Sequence, residues 1–260
     1  ILENLENMYL VSQHASDYDV TLTEEEQQTI KDAAAKFGED NSDDVKKVVS
    51  GDEEEVAKVL ELMTISNKME TAMEAGVDEN VSDEDAAQKS MQYLLFSYTT
   101  TDDSGESQTL SDDEKEALKT TAQAFDDRLK GGEDMETVAS AAGLTAQTAT
   151  FDSESTSPDK DLMAAADALT NEGDVTDIIE TENGIYIAKL TSLLDREATD
   201  SKKESIVSER KKEQYDSLLE QWKKDTKIKE EKKVWKKISF EKQGVTIKTS
   251  DTSDTSDSQN

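Results

Sequence analysis

The chain has 260 residues, of which 61 are acidic and 29 basic, for a formal net charge of −32. Leu, Ile, Val and Phe number only 49, and at that fraction and charge buried apolar area does not on average offset ordering entropy, so only periodicity argues for a fold. A surface this acidic repels phosphates and excludes nucleic acid as a partner across the bulk of the molecule, while a chain without cysteine has neither a disulfide frame nor a thiolate metal site.

Leu2 to Gln13 places Leu2, Leu5, Tyr9 and Ser12 on one face, with Met8 and Val11 beside them, which predicts an amphipathic helix. The chain begins at Ile1 without a basic-then-apolar leader, and reads as a mature protein whose targeting segment was removed. Thr23 followed by Glu26 is a capping box, predicting a helix from Glu24 to Phe37 that stops at Gly38. A polar link leads to a third helix, about Glu53 to Ala75, carrying Val56, Val59, Leu60 and a methionine stripe, Met63, Met69 and Met73. Methionine fills irregular cores and also lines surfaces that accept many apolar ligands, so the stripe reads either as core or as a groove for unfolded chains. The acidic runs 24–26 and 52–55 sit in helix first turns, where the backbone dipole stabilises negative charge without a metal.

Val81 to Glu84 opens a short helix, and Met91 to Tyr98 (MQYLLFSY) reads as a strand. The loop 99–109 that follows lacks the end carboxylates of a calcium loop, having Thr100 and Ser111 where they would stand. Ser111 with Glu114 is a second capping box, and its helix runs to Lys130, stopped by Gly131 and Gly132. A short helix from Glu133 to Ala142, a strand at 145–151 and a helix reaching Leu169, with Pro158 in its first turn, come next. Strands from Asp174 to Thr181 and Ile185 to Leu193 flank Asn183-Gly184, the strongest short-range hairpin signal. A long helix, about Ser201 to Lys224, carries Tyr215, Leu218, Leu219 and Trp222 on one face, and 234–247 suggests a short extended finish.

Charge is segregated along this order. Residues 1–200 carry a net charge of −35, 201–248 one of +6, and 249–260 have three aspartates and no apolar residue, predicting a disordered tail. The basic segment can pair with the acidic body, face an anionic membrane or wall polymer, or form a solvated helix face. No stretch reaches the ~20 apolar residues that span a bilayer. There is no Walker loop, dinucleotide fingerprint, zincin motif or nucleophile elbow, so neither a cofactor nor a metal is expected.

Between about 90 and 195 the element order is strand, helix, helix, strand, helix, hairpin, an α+β module flanked by helices. The run Gly173-Asp174-Val175 through Asn183-Gly184-Ile185-Tyr186-Ile187-Ala188-Lys189-Leu190 resembles the C-terminal hairpin of parvulin-type peptidyl-prolyl isomerases. Ala164 to Leu169, Lys130 to Ala139 and Met91 to Ser97 are similar to that family's preceding helix, glycine-punctuated second helix and first strand. The start at Val20 to Glu25 and the long C-terminal helix resemble the helical domain of PrsA/SurA-type extracytoplasmic foldases, in which both chain ends pack together around an inserted parvulin domain.

The resemblance implies an α+β parvulin-like antiparallel sheet, residues 89–195, inserted in an all-helical chaperone-like domain built from 1–88 and 196–248, with 249–260 as a tail. It also implies a secreted or surface-anchored folding factor whose partners are unfolded or extended polypeptide segments. The two strand positions that carry histidine in active parvulins match Tyr93 and Tyr186. The only histidine, His14, lies in the N-terminal helix and reads as a partly exposed polar residue. Residues 152–157, DSESTS, stand where an apolar wall would desolvate the substrate proline. Twisting an X-Pro amide over ~18–20 kcal/mol needs such a pocket and a donor for the twisted carbonyl. Tyrosine hydroxyls can donate, yet paired buried tyrosines also serve as packing. Tyr93 and Tyr186 are therefore candidate catalytic residues, and Leu94, Phe96, Met135, Met163, Ile185 and Ile187, with the stripe Met63, Met69 and Met73, candidate substrate contacts. Isomerisation is expected to be weak or lost, the alternative being a non-catalytic holdase or surface interaction module on the same scaffold.

Overall fold

Side-chain caps open the helices where the sequence places them. Glu26 N–H donates to Thr23 Oγ1 at 3.2 Å and Thr23 N–H to Glu26 Oε2 at 2.8 Å; Ser111 and Glu114 repeat the reciprocal pair. The computed structural model describes residues 1–101 and 105–237; the expected tail at 249–260 and the extended finish from 238 onward lie outside these. The chain divides into two units, Ile1–Val77 with the chain from Arg210 onward, and Asp78–Glu209.

In the first unit, α1 (Leu2–Gln13), a 3-10 turn (Ala15–Tyr18), α2 (Glu24–Asp40), α3 (Asp43–Val49) and α4 (Glu53–Met73) precede the second half of a long helix that begins in the other unit. The core holds Leu10, Val11, Ala15, Met69, Met73, Leu219 and Trp222. Three expectations change here. α2 runs through Gly38 to Asp40, because Asn41 Nδ2 donates to the Phe37 carbonyl and ends the helix there instead. The polar link contains α3, capped by Ser42. On α1 the buried side chains are Leu10 and Val11, whereas Tyr9 is 55% exposed, because the partners lie against the helix's C-terminal end. Gln214 closes the packing by donating to the Met73 and Ala75 carbonyls at 2.6 and 3.0 Å, satisfying groups that α4 leaves open at its end.

The second unit starts with α5 (Asp83–Ala86) and β1 (Lys89–Ser97), then a small hairpin, β2 (Thr99–Thr101) with β3 (Ser107–Thr109). There follow α6 (Asp112–Lys130), α7 (Met135–Ala141), β4 (Gln147–Phe151), α8 (Lys160–Asp167), β5 (Ile179–Glu180), β6 (Gly184–Ser192) and the start of α9 (Arg196–Asp225). Four strands form one antiparallel sheet in the order β4-β1-β6-β5. The fold class is thus α+β. Helices cover both sheet faces: Leu94, Phe96, Ile185 and Ile187 pack under α6 and α7, and Met91, Tyr93, Tyr186, Ala188 and Leu190 under α8. The period-two alternation of β1 and β6 sends apolar side chains both ways.

Residues 78–88 and 195–209 belong with this sheet. Thr199 Oγ1 accepts from Gln88 N–H at 3.1 Å, Asp195 N–H donates to the Gln88 carbonyl at 2.7 Å, and Asp83 receives both Arg196 and Lys203. The unit boundaries consequently fall near 77 and 209, not at 88 and 195. Pro158 precedes the α8 N-cap, Asp159, rather than standing in the first turn. The stretch read as a strand from Asp174 is regular only at Ile179–Glu180; upstream, Thr176 Oγ1 accepts the Ala188 N–H that a ladder would otherwise take. Gly184 serves less as a turn than as a close-approach residue, since a Cβ there would lie 2.3 Å from the Phe96 carbonyl oxygen. Val234 and Trp235 lie in a short helix, α10 (Lys232–Trp235), not a strand.

Candidate functional site

Tyr93 and Tyr186 meet because β1 and β6 are antiparallel with Tyr93 opposite Ala188, which sets the two tyrosines on the diagonal of one face. Their rings are 6.0 Å apart and tilted by 49°. Both are buried, at 7% and 3% exposure, in a cluster with Phe151 from β4 and Leu162, Met163 and Ala166 from α8. Tyr93 Oη donates to Gln147 Oε1 on β4 at 2.6 Å. Burial raises both phenol pKa values, and for Tyr186 the nearby Asp159 carboxylate and Tyr93 add to the rise. The hydroxyls therefore stay neutral donors at physiological pH.

The candidate cradle splits. Met163, 1% exposed, shares the tyrosine face. Leu94, Phe96, Ile185, Ile187 and Met135 lie on the opposite face, each 3% exposed or less, in the core under α6 and α7. A ligand on the tyrosine face cannot reach them through the sheet, so spacing of two along β1 and β6 assigns them to packing. The methionine stripe splits as well: Met69 and Met73 are fully buried in the helical unit, whereas Met63 is 49% exposed. His14, the sole histidine, stacks on Trp222 at 4.1 Å and contacts Asp17 through Nδ1 at 2.8 Å, in the helical unit.

The polar stretch 152–157 has a structural use that its composition conceals. Asp152 accepts from Gln88 Nε2 and Ser155 Oγ at 2.9 Å, from Glu154 N–H at 3.1 Å and from Lys202 Nζ at 3.2 Å. Partial burial works against its charge, but these donors prevail and hold the carboxyl well below the usual carboxylate range. Gln147, Asp159 and Asp152 escaped the sequence reading. Gln147 was the most accessible of them, because pairing the strand at 145–151 with β1 brings it opposite Tyr93.

The basic segment is tied largely to acidic side chains of this chain: Lys202 to Asp152, Lys212 to Asp216, Lys223 to Glu3 and Lys224 to Glu220. Among the described residues no helix is long and apolar enough to cross a membrane. In the helical unit, Leu2, Leu5 and Tyr9 with Ile228, Val234 and Trp235 line an open groove of about 460 Å³, mostly apolar.

No curated protein matches the chain. Among solved structures it is similar to the foldase protein PrsA of Streptococcus pneumoniae, at 18% identity and a TM-score of 0.38, covering 88% of this chain and 86% of that one. A PrsA peptidylprolyl isomerase of Bacillus cereus matches at 17% identity and a TM-score of 0.38, covering 88% and 84%. A SurA-like chaperone of Campylobacter jejuni matches at 12% identity and a TM-score of 0.31, covering 88% and 86%. The sequence model of the PPIC-type PPIase domain matches residues 100–200, and with the sheet described above this stretch belongs to the parvulin-type peptidyl-prolyl isomerase domains.

Proposed function

We propose that the chain is an extracytoplasmic protein-folding factor that holds unfolded or extended polypeptide segments, with prolyl isomerisation weak or lost. The observation that carries this reading is the tyrosine pair of a parvulin-type domain, buried to 7% and 3% beneath Leu162 and Met163. An X-Pro segment can use Tyr93 and Tyr186 only by displacing α8, and the energy of that displacement is then lost to rate enhancement. Neutral phenols would still donate to a twisted carbonyl, so residual catalysis is expected rather than none. Extracytoplasmic placement rests on the resemblance to PrsA/SurA-type foldases.

The holdase reading has its own support in the groove at Leu2, Leu5 and Tyr9 and in exposed Met63 and Val59, 49% and 47% accessible, on the helical unit. On this view the two chain ends make the chaperone domain and the unit from Asp78 to Glu209 is the inserted module. The six lysines from Lys227 to Lys237 would turn toward an anionic membrane or wall surface. A protease-coupled proline-peptide assay run beside an aggregation-suppression assay tests the proposal. Suppression with little isomerisation supports it. Strong isomerisation abolished by Tyr93→Phe with Tyr186→Phe would make the chain a working isomerase, and failure in both assays would leave the parvulin sheet as scaffold alone.

A further inference from the structure

A sheet exposes two edges, and here they differ. β5 is two residues long, and Glu180 within it is held by Lys119 at 2.7 Å and by Tyr98, the short charged form that resists another strand. β4 is five residues, Gln147-Thr148-Ala149-Thr150-Phe151, with no charge, no proline and no register shift against β1. It pairs with β1 alone, and among the described residues no backbone hydrogen bond reaches its outer side. Gln147, Thr148 and Thr150 are exposed. Along its own length β4 therefore carries none of the charge, proline or bulge that blunts an edge.

We propose that the outer edge of β4 is where an extended, basic polypeptide segment adds as a fifth strand, an inference that rests on the polypeptide-binding reading above. The charge of the unit selects the occupant: Asp78–Glu209 contains 32 acidic and 10 basic side chains, so a lysine- or arginine-bearing segment is drawn to it and an acidic one repelled. Main-chain hydrogen bonds supply affinity that ignores side-chain identity, as a protein with many clients requires. An added strand would lie about 4.8 Å from β4 and roughly 10 Å from β1. That brings its side chains near Gln147, which already holds the Tyr93 hydroxyl. Prolines in the segment are tolerated where their missing N–H points away from β4. The edge can thus hold a proline-containing chain beside the tyrosine pair while that pair stays closed.

The test uses the full chain and two ten-residue peptides of alternating valine and lysine, one unmodified and one methylated at every backbone nitrogen. Side chains and charge are the same; each N–H donor is replaced by an N-methyl group that can neither donate nor fit against a strand edge. The unmodified peptide should bind, more weakly as salt rises, and slow hydrogen exchange of amides within 147–151. The methylated peptide should bind at least tenfold more weakly and protect none of them. Equal binding of both, or protection confined to the helices of residues 2–73, overturns the edge inference while leaving polypeptide binding intact. If neither peptide binds, the edge inference fails, and aggregation suppression then decides whether the folding-factor reading survives without it.

Discussion

Trp222→Ala tests whether the two ends of the chain share one core. Trp222 is 9% exposed, stacks on His14 at 4.1 Å and meets Tyr18 edge-on at 5.9 Å. Truncating a buried tryptophan costs about 3–5 kcal/mol in transfer and cavity energy. The Tyr18 contact accounts for roughly 0.5–1.5 kcal/mol of that aromatic packing, so the upper half of the range is expected. Trp222→Phe keeps a ring in the site and should cost about 1–2 kcal/mol less. Because unfolding of two units need not be two-state, the assay is native-state hydrogen exchange at Leu10, Val11, Met69 and Met73, all buried against this residue. Their opening free energies should fall together in the alanine variant, by the same few kcal/mol. A drop below about 1 kcal/mol, or a drop confined to α9 itself, would show that the N-terminal helices are stable without it and refute the shared core.

Other substitutions probe the sheet and its polar anchor. Gly184→Ala drives a methyl to 2.3 Å from the Phe96 carbonyl oxygen and should cost about 1–3 kcal/mol by overpacking; urea unfolding within 0.5 kcal/mol of wild type would contradict that close approach. Tyr93→Phe removes the hydroxyl's bond to Gln147 Oε1 and should cost about 0.5–1.5 kcal/mol, read from the same unfolding curves. Asp152 is ionised in the folded protein at pH values where a free aspartate protonates. Its stabilisation is therefore fully present above about pH 4 and is lost as pH falls through the lower folded value. Asp152→Asn should flatten the acid limb of the stability curve, and an unchanged limb would remove Asp152 from it.

Local signals carried far in this sequence. Both capping boxes are satisfied as the sequence spells them, since each needs only residues three apart. That the strands of Tyr93 and Tyr186 pair in one antiparallel sheet was legible, because alternation and the Asn183-Gly184 signal at the start of β6 constrain register. What stayed hidden was depth. Leu94 and Tyr93 are neighbours in one apolar run, and only the presence of α6 and α7 on one face and α8 on the other decides which of them shares the candidate site. α3 was missed because seven residues with a single serine cap look like a polar link, and Asp152 because its partners, Gln88 and Lys202, are 64 and 50 residues away. Gly38 misled for a related reason: glycine costs a helix interior only about 1 kcal/mol, which the surrounding turns of α2 outweigh.

The most direct test of the account measures prolyl isomerisation by the full chain beside a histidine-bearing parvulin, on one peptide in one buffer. With Tyr93 and Tyr186 neutral, buried and closed over by α8, the account predicts an efficiency at least a hundredfold lower, roughly 2.7 kcal/mol of lost transition-state stabilisation, while aggregation of an unfolded test protein is still suppressed. Equal efficiency on the same peptide would contradict it, because a closed tyrosine pair would then perform the work assigned to an open histidine site.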